Sequence, residues 1–275
     1  TGDHLTRHLG QPVVVENLPG GGGLAGASKV AAAPSDGYTI MIHANSLAAV
    51  PSLQANPGVD VRKAFEPIGL LAFAPLLLVA RKDLGAPTSN PLGWVQSNAA
   101  KLSIATLGVG SGSHTCALLI QQMLKRTLAT VPYKTSAALL VDLSAGTVDL
   151  FCEHESAVGT SINGGQVVPL SVLGRSRLDN FPAVALAPEQ GWNDVIAISY
   201  FGLWAPRGTP KDVVTALNYA MQKTAADKGF GERLDQLGFK PFAVRLRPAA
   251  EHAKLFETEI ERQSSIYKAA GVKPH

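Results

Sequence analysis

Hydrophobic and polar positions along this chain switch repeatedly between a helical and a strand period. Residues 2–9 read as a short amphipathic helix closed by Gly10, and the unbroken valines at 13–15 read as a buried strand over residues 12–16. A glycine run follows. Small and apolar residues over 24–33 then predict a helix that stops at Pro34, and Ser35-Asp36-Gly37 turns the chain into a strand over residues 38–43. Strand, helix, strand in that order predicts a parallel sheet with right-handed crossovers.

Residues 67–80 form a long apolar run without helical period, which reads as two short strands fused end to end, passing from one domain to another. A second extended stretch over 200–205 reads as the return. Between the two, the pattern predicts a helix over 89–101 carrying Trp94, a strand over 102–106, and a helix with Leu118, Leu119, Met123 and Leu124 on one face. Next come a helix over 136–145 closed by Gly146, a strand over 147–152, a helix over 156–162 and a strand over 167–173. After the return, Thr209, Pro210 and Asp212 have the spacing of a capped helix start. The last helix, residues 249–270, carries Leu255, Phe256, Ile260 and Tyr267 at helical spacing and stops at Gly271. The expected organisation is α/β in two domains, 1–74 with 206–275 and 75–205. Each is a mixed, mostly parallel sheet flanked by helices, and two crossover strands join them.

Composition narrows the partners. The 275 residues are 46% hydrophobic and only 16% charged, with a net charge of +3. No run of Lys or Arg with interleaved aromatics offers a phosphate-backbone surface, so no nucleic-acid partner is expected. The longest apolar stretch, 68–80, is broken by Gly69 and Pro75 and falls short of the roughly 20 residues of a membrane span. No charged segment followed by an apolar one opens the chain, so no export signal is legible there. Cys116 and Cys152 read either as two buried small residues or as one disulfide, the latter requiring an oxidising compartment.

The candidate chemistry is mostly incomplete. Gly21, Gly23 and Gly26 match the spacing G-x-G-x-x-G, but the following strand ends His43-Ala44-Asn45-Ser46, without the carboxylate a dinucleotide ribose needs. Turning and close packing explain those glycines better. Ser111 and Ser113 lack the flanking glycines of a nucleophile elbow, and His114 next to Ser113 diverges from it at a helix start. His4 and His8 lack the glutamate of a zinc protease, and Cys152-Glu153-His154-Glu155 has no second cluster to complete a metal site. No catalytic set, metal or cofactor is therefore expected. What recurs is a run of small and hydroxyl residues at strand tips just before helices: Asn45-Ser46, residues 110–114, Thr135-Ser136-Ala137 and Ser156-Ala157. Any one of these is an ordinary helix cap. Several converging helix starts, each favouring an anion by about 0.3–1 kcal/mol when exposed, make a carboxylate site.

The order GQPVVVENLPGGGG, APSDGYTIMI, FEPIGLLAFAPLLLVARKDL, LSIATLGVGSGSH, VPYKTSAALLVDLSAGTVDLF, YFGLWAPRGTP and IYKAAGV resembles, over essentially the whole chain, the solute-binding proteins of the tripartite tricarboxylate transporter family, or Bug receptors. The resemblance implies a two-domain periplasmic binding protein fold, type II-like. It implies a non-enzymatic periplasmic monomer that closes on a small aliphatic or aromatic carboxylate and delivers it to the transporter's membrane components. Carried over position by position, it implies ligand contacts from Asn45, Ser46 and Leu47, from Ser111, Gly112, Ser113 and His114, from Tyr133, Thr135, Ser136 and Ala137, and from Glu153, Tyr200 and Phe201. His114 with Tyr200 and Phe201 would suit a flat aromatic ligand, hinge packing being the alternative role of the last two. A Cys116–Cys152 disulfide would brace one wall. Gly20 to Gly23 become the family's ENxPGxGG turn, shaping the scaffold. The chain departs from the family pattern in lacking a first strand with its glycine-rich loop, and in having Thr135 where a glycine usually follows the lysine. An enzyme on a similar scaffold is a competing reading, disfavoured by the missing catalytic set. A regulator's sensing domain is another, for which a helix-turn-helix segment ahead of residue 1 is wanting.

Overall fold

The computed structural model describes residues 1–18, 23–87 and 89–274. Gly20, Gly21 and Gly22 of the glycine run lie outside these, while Gly23, in a left-handed conformation, starts the helix that follows.

Two sheets share one strand. The first lobe contains α1 (Gly2–Leu9), α2 (Leu24–Ala31), β1 (Met41–Ala44), a 3-10 turn (Asn45–Ala49) leading into α3 (Val50–Leu53), and the first half of β2 (Phe65–Arg81). The second lobe follows with α4 (Pro91–Asn98), β3 (Ser103–Thr106), α5 (Gly112–Leu124), β4 (Ala129–Pro132), α6 (Ser136–Ala145), β5 (Leu150–His154), α7 (Glu155–Asn163) and β6 (Val167–Val172). β7 (Ile198–Pro206) returns to the first lobe, completed by α8 (Lys211–Ala226), α9 (Lys228–Gln236), β8 (Lys240–Pro241) and α10 (Ala249–Ala269).

The run over residues 68–80 lacks a period because the sheets are covered on both faces, and Phe73 alone among those residues is not buried. Alternate residues serve different cores. Leu76, Leu78 and Ala80 pack with Ile104, Ile120 and Leu150 under α5, while Leu77 and Val79 pack with Leu139, Leu143 and Phe151 under α6. In the first lobe Ile68, Leu71 and Leu203 pack against Leu217 and Met221 of α8, and Phe65 and Trp204 pack against Phe256 and Ile260 of α10.

Several expectations change. β2 is one strand of 17 residues rather than two fused ones. The strand order of the second sheet is β4-β3-β5-β2-β6, and among the described strand pairings those of β3 with β4 and β5 are parallel, Val172 of β6 adding a single parallel bridge to Leu186. In the first sheet, β1-β7-β2-β8, every described pairing is antiparallel; that of β2 with β7 follows from an outgoing and a returning crossover running in opposite directions. Among the described pairings the second sheet is therefore mixed and the first antiparallel, and the mostly parallel character expected of both is confined to part of the second. Residues 12–16 form no strand. Val14 is 89% exposed, and the Val13 N–H donates to Thr6 Oγ1 at 2.9 Å instead of to a sheet neighbour. The strand expected from residue 38 begins at Met41, because Asp36 Oδ1 accepts the Tyr38 N–H and holds that residue in the turn. Thr209 does not cap α8: its hydroxyl donates to the Pro206 carbonyl at 2.8 Å, and Pro210 takes the cap position.

Two buried features carry measurable consequences. Cys116 of α5 and Cys152 of β5 are joined as a disulfide inside the second lobe's core, 36 residues apart. His252 of α10 is fully buried beside Trp204, with ring centroids 4.0 Å apart, in space left by Gly202, where a β-carbon would collide with the imidazole. Neither ring nitrogen has a partner among the described residues, and burial pushes the imidazole down to about 3.

Closing a loop of this length should make the oxidised protein about 3–4 kcal/mol more stable than the reduced one, measurable as a higher guanidinium midpoint without reductant. For His252 the native state stays neutral down to about pH 3, while an unfolded imidazole takes a proton below about 6.5. Between those values the unfolded state binds more protons, so stability falls as pH falls, by up to about 1.4 kcal/mol per pH unit from this group. His252→Leu should flatten that part of the pH–stability curve measured by chemical unfolding.

Candidate functional site

In the second lobe, the parallel strands β3, β4 and β5 end on one side of the sheet, and α5, α6 and α7 begin there. An open α/β sheet binds ligands at such an edge, where unpaired N–H groups and positive helix ends gather. Ser111 caps α5, its hydroxyl accepting from the His114 N–H at 3.1 Å and donating to the Gly108 carbonyl at 2.7 Å. Thr135 caps α6 by accepting from the Ala138 N–H at 3.3 Å. Ala137 is exposed in the same turn, and Ser136 donates to Glu153 Oε2 at 3.4 Å.

Other residues singled out in this lobe turn inward. Ser113 Oγ accepts the Leu107 N–H at 2.9 Å. The buried His114 ring lies 5.6 Å from Tyr267, Nδ1 accepts from the Gly110 N–H at 3.4 Å, and burial lowers the imidazole's proton affinity. The Tyr133 phenol donates to Asp142 Oδ2 at 2.7 Å, and that carboxylate pushes it up to about 12. At the tip of β5, Glu153 Oε1 accepts the His154 N–H at 2.8 Å and lies 2.7 Å from His154 Nδ1.

From the first lobe, the turn after β1 faces α10 and the start of β7. Asn45 Nδ2 donates to the Ile198 carbonyl at 3.1 Å and to Glu259 Oε1 at 3.3 Å. Ser46 is half-buried, and the Leu47 side chain belongs to the core, leaving only its backbone for contacts. Tyr200 and Phe201 are neighbours on β7. Tyr200 is buried with its hydroxyl unpartnered among the described residues, and burial, with Glu259 nearby, raises its phenol. Phe201 packs 5.5 Å from Phe239 and 6.2 Å from His154.

Between the lobes lies a cavity of about 20 Å³ lined by Asn45, Ser46, Gly112, Thr115, Arg262 and Gln263, among others. That volume suits about one water molecule, so a larger ligand must part the lobes to enter. Asn45, Ser46 and Gly112 thus meet here, whereas Ser136, Glu153 and Phe201 gather around His154. A wider surface groove of about 530 Å³ is bounded by residues 50–61 and contains none of the expected site residues.

Sequence reasoning missed the contribution of α10. Glu259 Oε1 accepts from Asn45, from Arg262 at 3.1 Å and from Gln263 at 2.6 Å, and Thr115 of α5 donates to Gln263 Oε1 at 3.1 Å. The available signal was the appearance of Glu259 and Gln263, four apart, on the same stripe as Phe256 and Tyr267. Polar residues at core spacing need partners from elsewhere.

Residues 1–272 match the family described as tripartite tricarboxylate transporter family receptor. A protein from the TAR-I ttuE-ttuC' intergenic region of Agrobacterium vitis is 32% identical over 268 residues, covering 97% of this chain and 78% of the relative. The solved structure of the periplasmic binding protein BugD shares 33% identity at a TM-score of 0.88, over 100% of this chain and 92% of that one. MatC from Rhodopseudomonas palustris, solved with bound malate, shares 29% at a TM-score of 0.83, over 96% and 91%. Rpa4515 of the same organism, solved with adipate, shares 28% at 0.88, over 100% and 91%. The fold is thus that of the two-domain periplasmic binding proteins, and solute-binding receptors, not enzymes, are its relatives, two of them solved with a bound carboxylate. The chain belongs to the tripartite tricarboxylate transporter family of solute-binding receptors.

Proposed function

We propose that this receptor works in the periplasm, as a monomer, capturing a small di-, tri- or aromatic carboxylate between its lobes and delivering it to the membrane components of a tripartite tricarboxylate transporter. The domain division follows the crossovers: residues 1–74 and 206–275 form one lobe, 75–205 the other. The observation that carries the reading is the gathering of three helix N-termini at one edge of the second lobe's sheet. Their backbone N–H groups favour a carboxylate without a dedicated cation. On this reading the ligand meets Ser111, Gly112 and the 135–137 turn on one wall and Asn45, Ser46 and the Leu47 backbone on the other. Glu153 and Phe201 border it. Ser113, His114 and Tyr133 then support those walls through the partners named above, and Tyr200 by its burial on β7. The malate and adipate bound to two relatives support the ligand class, and the buried disulfide suits an oxidising compartment.

A thermal-shift screen with malate, succinate, adipate, citrate and benzoate tests the reading. A ligand at 100 times its dissociation constant should add about 2.7 kcal/mol, a rise in midpoint of roughly 5–10 °C for a chain of this size. Silence across the panel, in protein shown by circular dichroism to be folded, would sink it.

A further inference from the structure

The turn from α9 into β8 reaches across to the second lobe and closes over a carboxylate. Glu155, the first residue of α7, is only 6% exposed. Its Oε1 accepts from Asn180 Nδ2 at 2.5 Å, and its Oε2 has no partner among the described residues. Gly238 of the opposite lobe lies directly on that carboxylate: a β-carbon at this position would collide with Oε2, and its φ of +73° is itself one that side chains avoid. Around this contact, Asn180 also donates to the Asp235 carbonyl at 3.1 Å. Lys240 Nζ bridges Asp179 at 2.6 Å and Asp235 at 2.8 Å. Phe239 stacks on His154 with centroids 5.6 Å apart.

The ion pairs are exposed and hold little by themselves. The glutamate is different, because closing the lobes lays Gly238 over its carboxyl and removes it from water without bringing it a donor, its one neutral donor, Asn180, belonging to its own lobe. An ionised carboxylate treated so is costly, and the cost vanishes when it is protonated. We propose that Glu155 is a proton-taking clasp between the lobes: closure on this face draws a proton from solvent onto its carboxyl, so the closed arrangement is favoured as pH falls. This inference rests on the reading of the molecule as two lobes that part and close.

The charged and titratable neighbours are Asp179 from the loop after β6, Asp235 and Lys240 from the α9–β8 turn, and Glu153 and His154 from β5. Burial first, and Asp179 in addition, raise the carboxyl above 4.5 in the closed form, against the opposing effects of Asn180 and Lys240. A glutamate exposed by opening has an ordinary value. The closed form therefore binds more protons between the two values, and closure weakens as pH rises through that window.

The test uses the full chain without ligand, nitroxide-labelled at Val141→Cys on α6 and Tyr219→Cys on α8, both exposed positions; the native cysteines are bonded to each other. Distances between the labels should show the ratio of closed to open molecules falling at least threefold from pH 5 to pH 8. Glu155→Gln, which is neutral at every pH and nearly the same shape, should hold the ratio high and constant, thereby separating Glu155 from His154. Gly238→Ala should shift the population toward open throughout. A distribution that does not change with pH, or a Glu155→Gln variant that keeps the wild-type dependence, overturns the clasp. Because no carboxylate is added, these outcomes are independent of the ligand screen, and either reading can fail alone.

Discussion

The antiparallel pairing of β2 with β7 is the constraint on which the rest depends. From Phe65 opposite Pro206 to Pro75 opposite Ile198, the outgoing and returning segments are hydrogen-bonded to each other. Beyond Pro75, β2 exchanges partners: the Leu76 N–H still donates to the Ala197 carbonyl, and from there β5 and β6 flank the strand. At roughly 3.3 Å per residue, the 17 residues of β2 run through both lobes as one rod. Motion between the lobes must therefore be absorbed near residues 73–77 and 196–199, where the ladder changes hands. Pro75, which has no N–H to lose, stands at that exchange.

α10 and the α9–β8 turn make two further links across this hinge, and their chemistry differs. Under α10 the contact is a buried polar network: Thr115 of the second lobe donates to Gln263 and joins Tyr267, while Glu259 gathers Asn45, Arg262 and Gln263 within the first lobe. A satisfied network of that kind fixes geometry and resists separation. At the α9–β8 turn the contacts are exposed ion pairs, a ring stack and a glycine over a glutamate.

What the sequence made legible follows the range of the forces involved. The α6 helix was readable to the residue, because Thr135 caps it and Gly146, at φ +80°, ends it through local geometry alone. Resemblance placed Asn45, Ser46 and Gly112 where the lobes meet. Residues 12–16 were misread because a valine run forms a strand only with a neighbour, and β1 is paired with β7 alone among the described strands. Strand direction in the first sheet was hidden because it comes from the topology of the two crossovers, not from their composition. Ser113 and His114 match a binding loop by spacing, yet spacing cannot say whether a side chain faces a cleft or Leu107 and Tyr267.

The distribution of acids bears on how such a receptor can hold an anion at all. Glu153, Glu155 and Glu259 all lie between or beside the lobes, and each consumes nearby donors: His154, Asn180, and Asn45 with Arg262 and Gln263. Arg262, the guanidinium lining the inter-lobe cavity, is committed to Glu259 and to the Ile196 carbonyl. A ligand carboxylate competing for these side chains would leave a buried acid unpaired, at a cost of about 3–5 kcal/mol for a broken buried pair. The donors free of that competition are backbone N–H groups at the starts of α5 and α6, the Ser111 hydroxyl already donating to the Gly108 carbonyl. These are fixed by the fold rather than by side-chain chemistry, so on the function proposed above carboxylate recognition and ligand identity separate: the helix ends would accept the anion, and the residues around them would decide what else it carries.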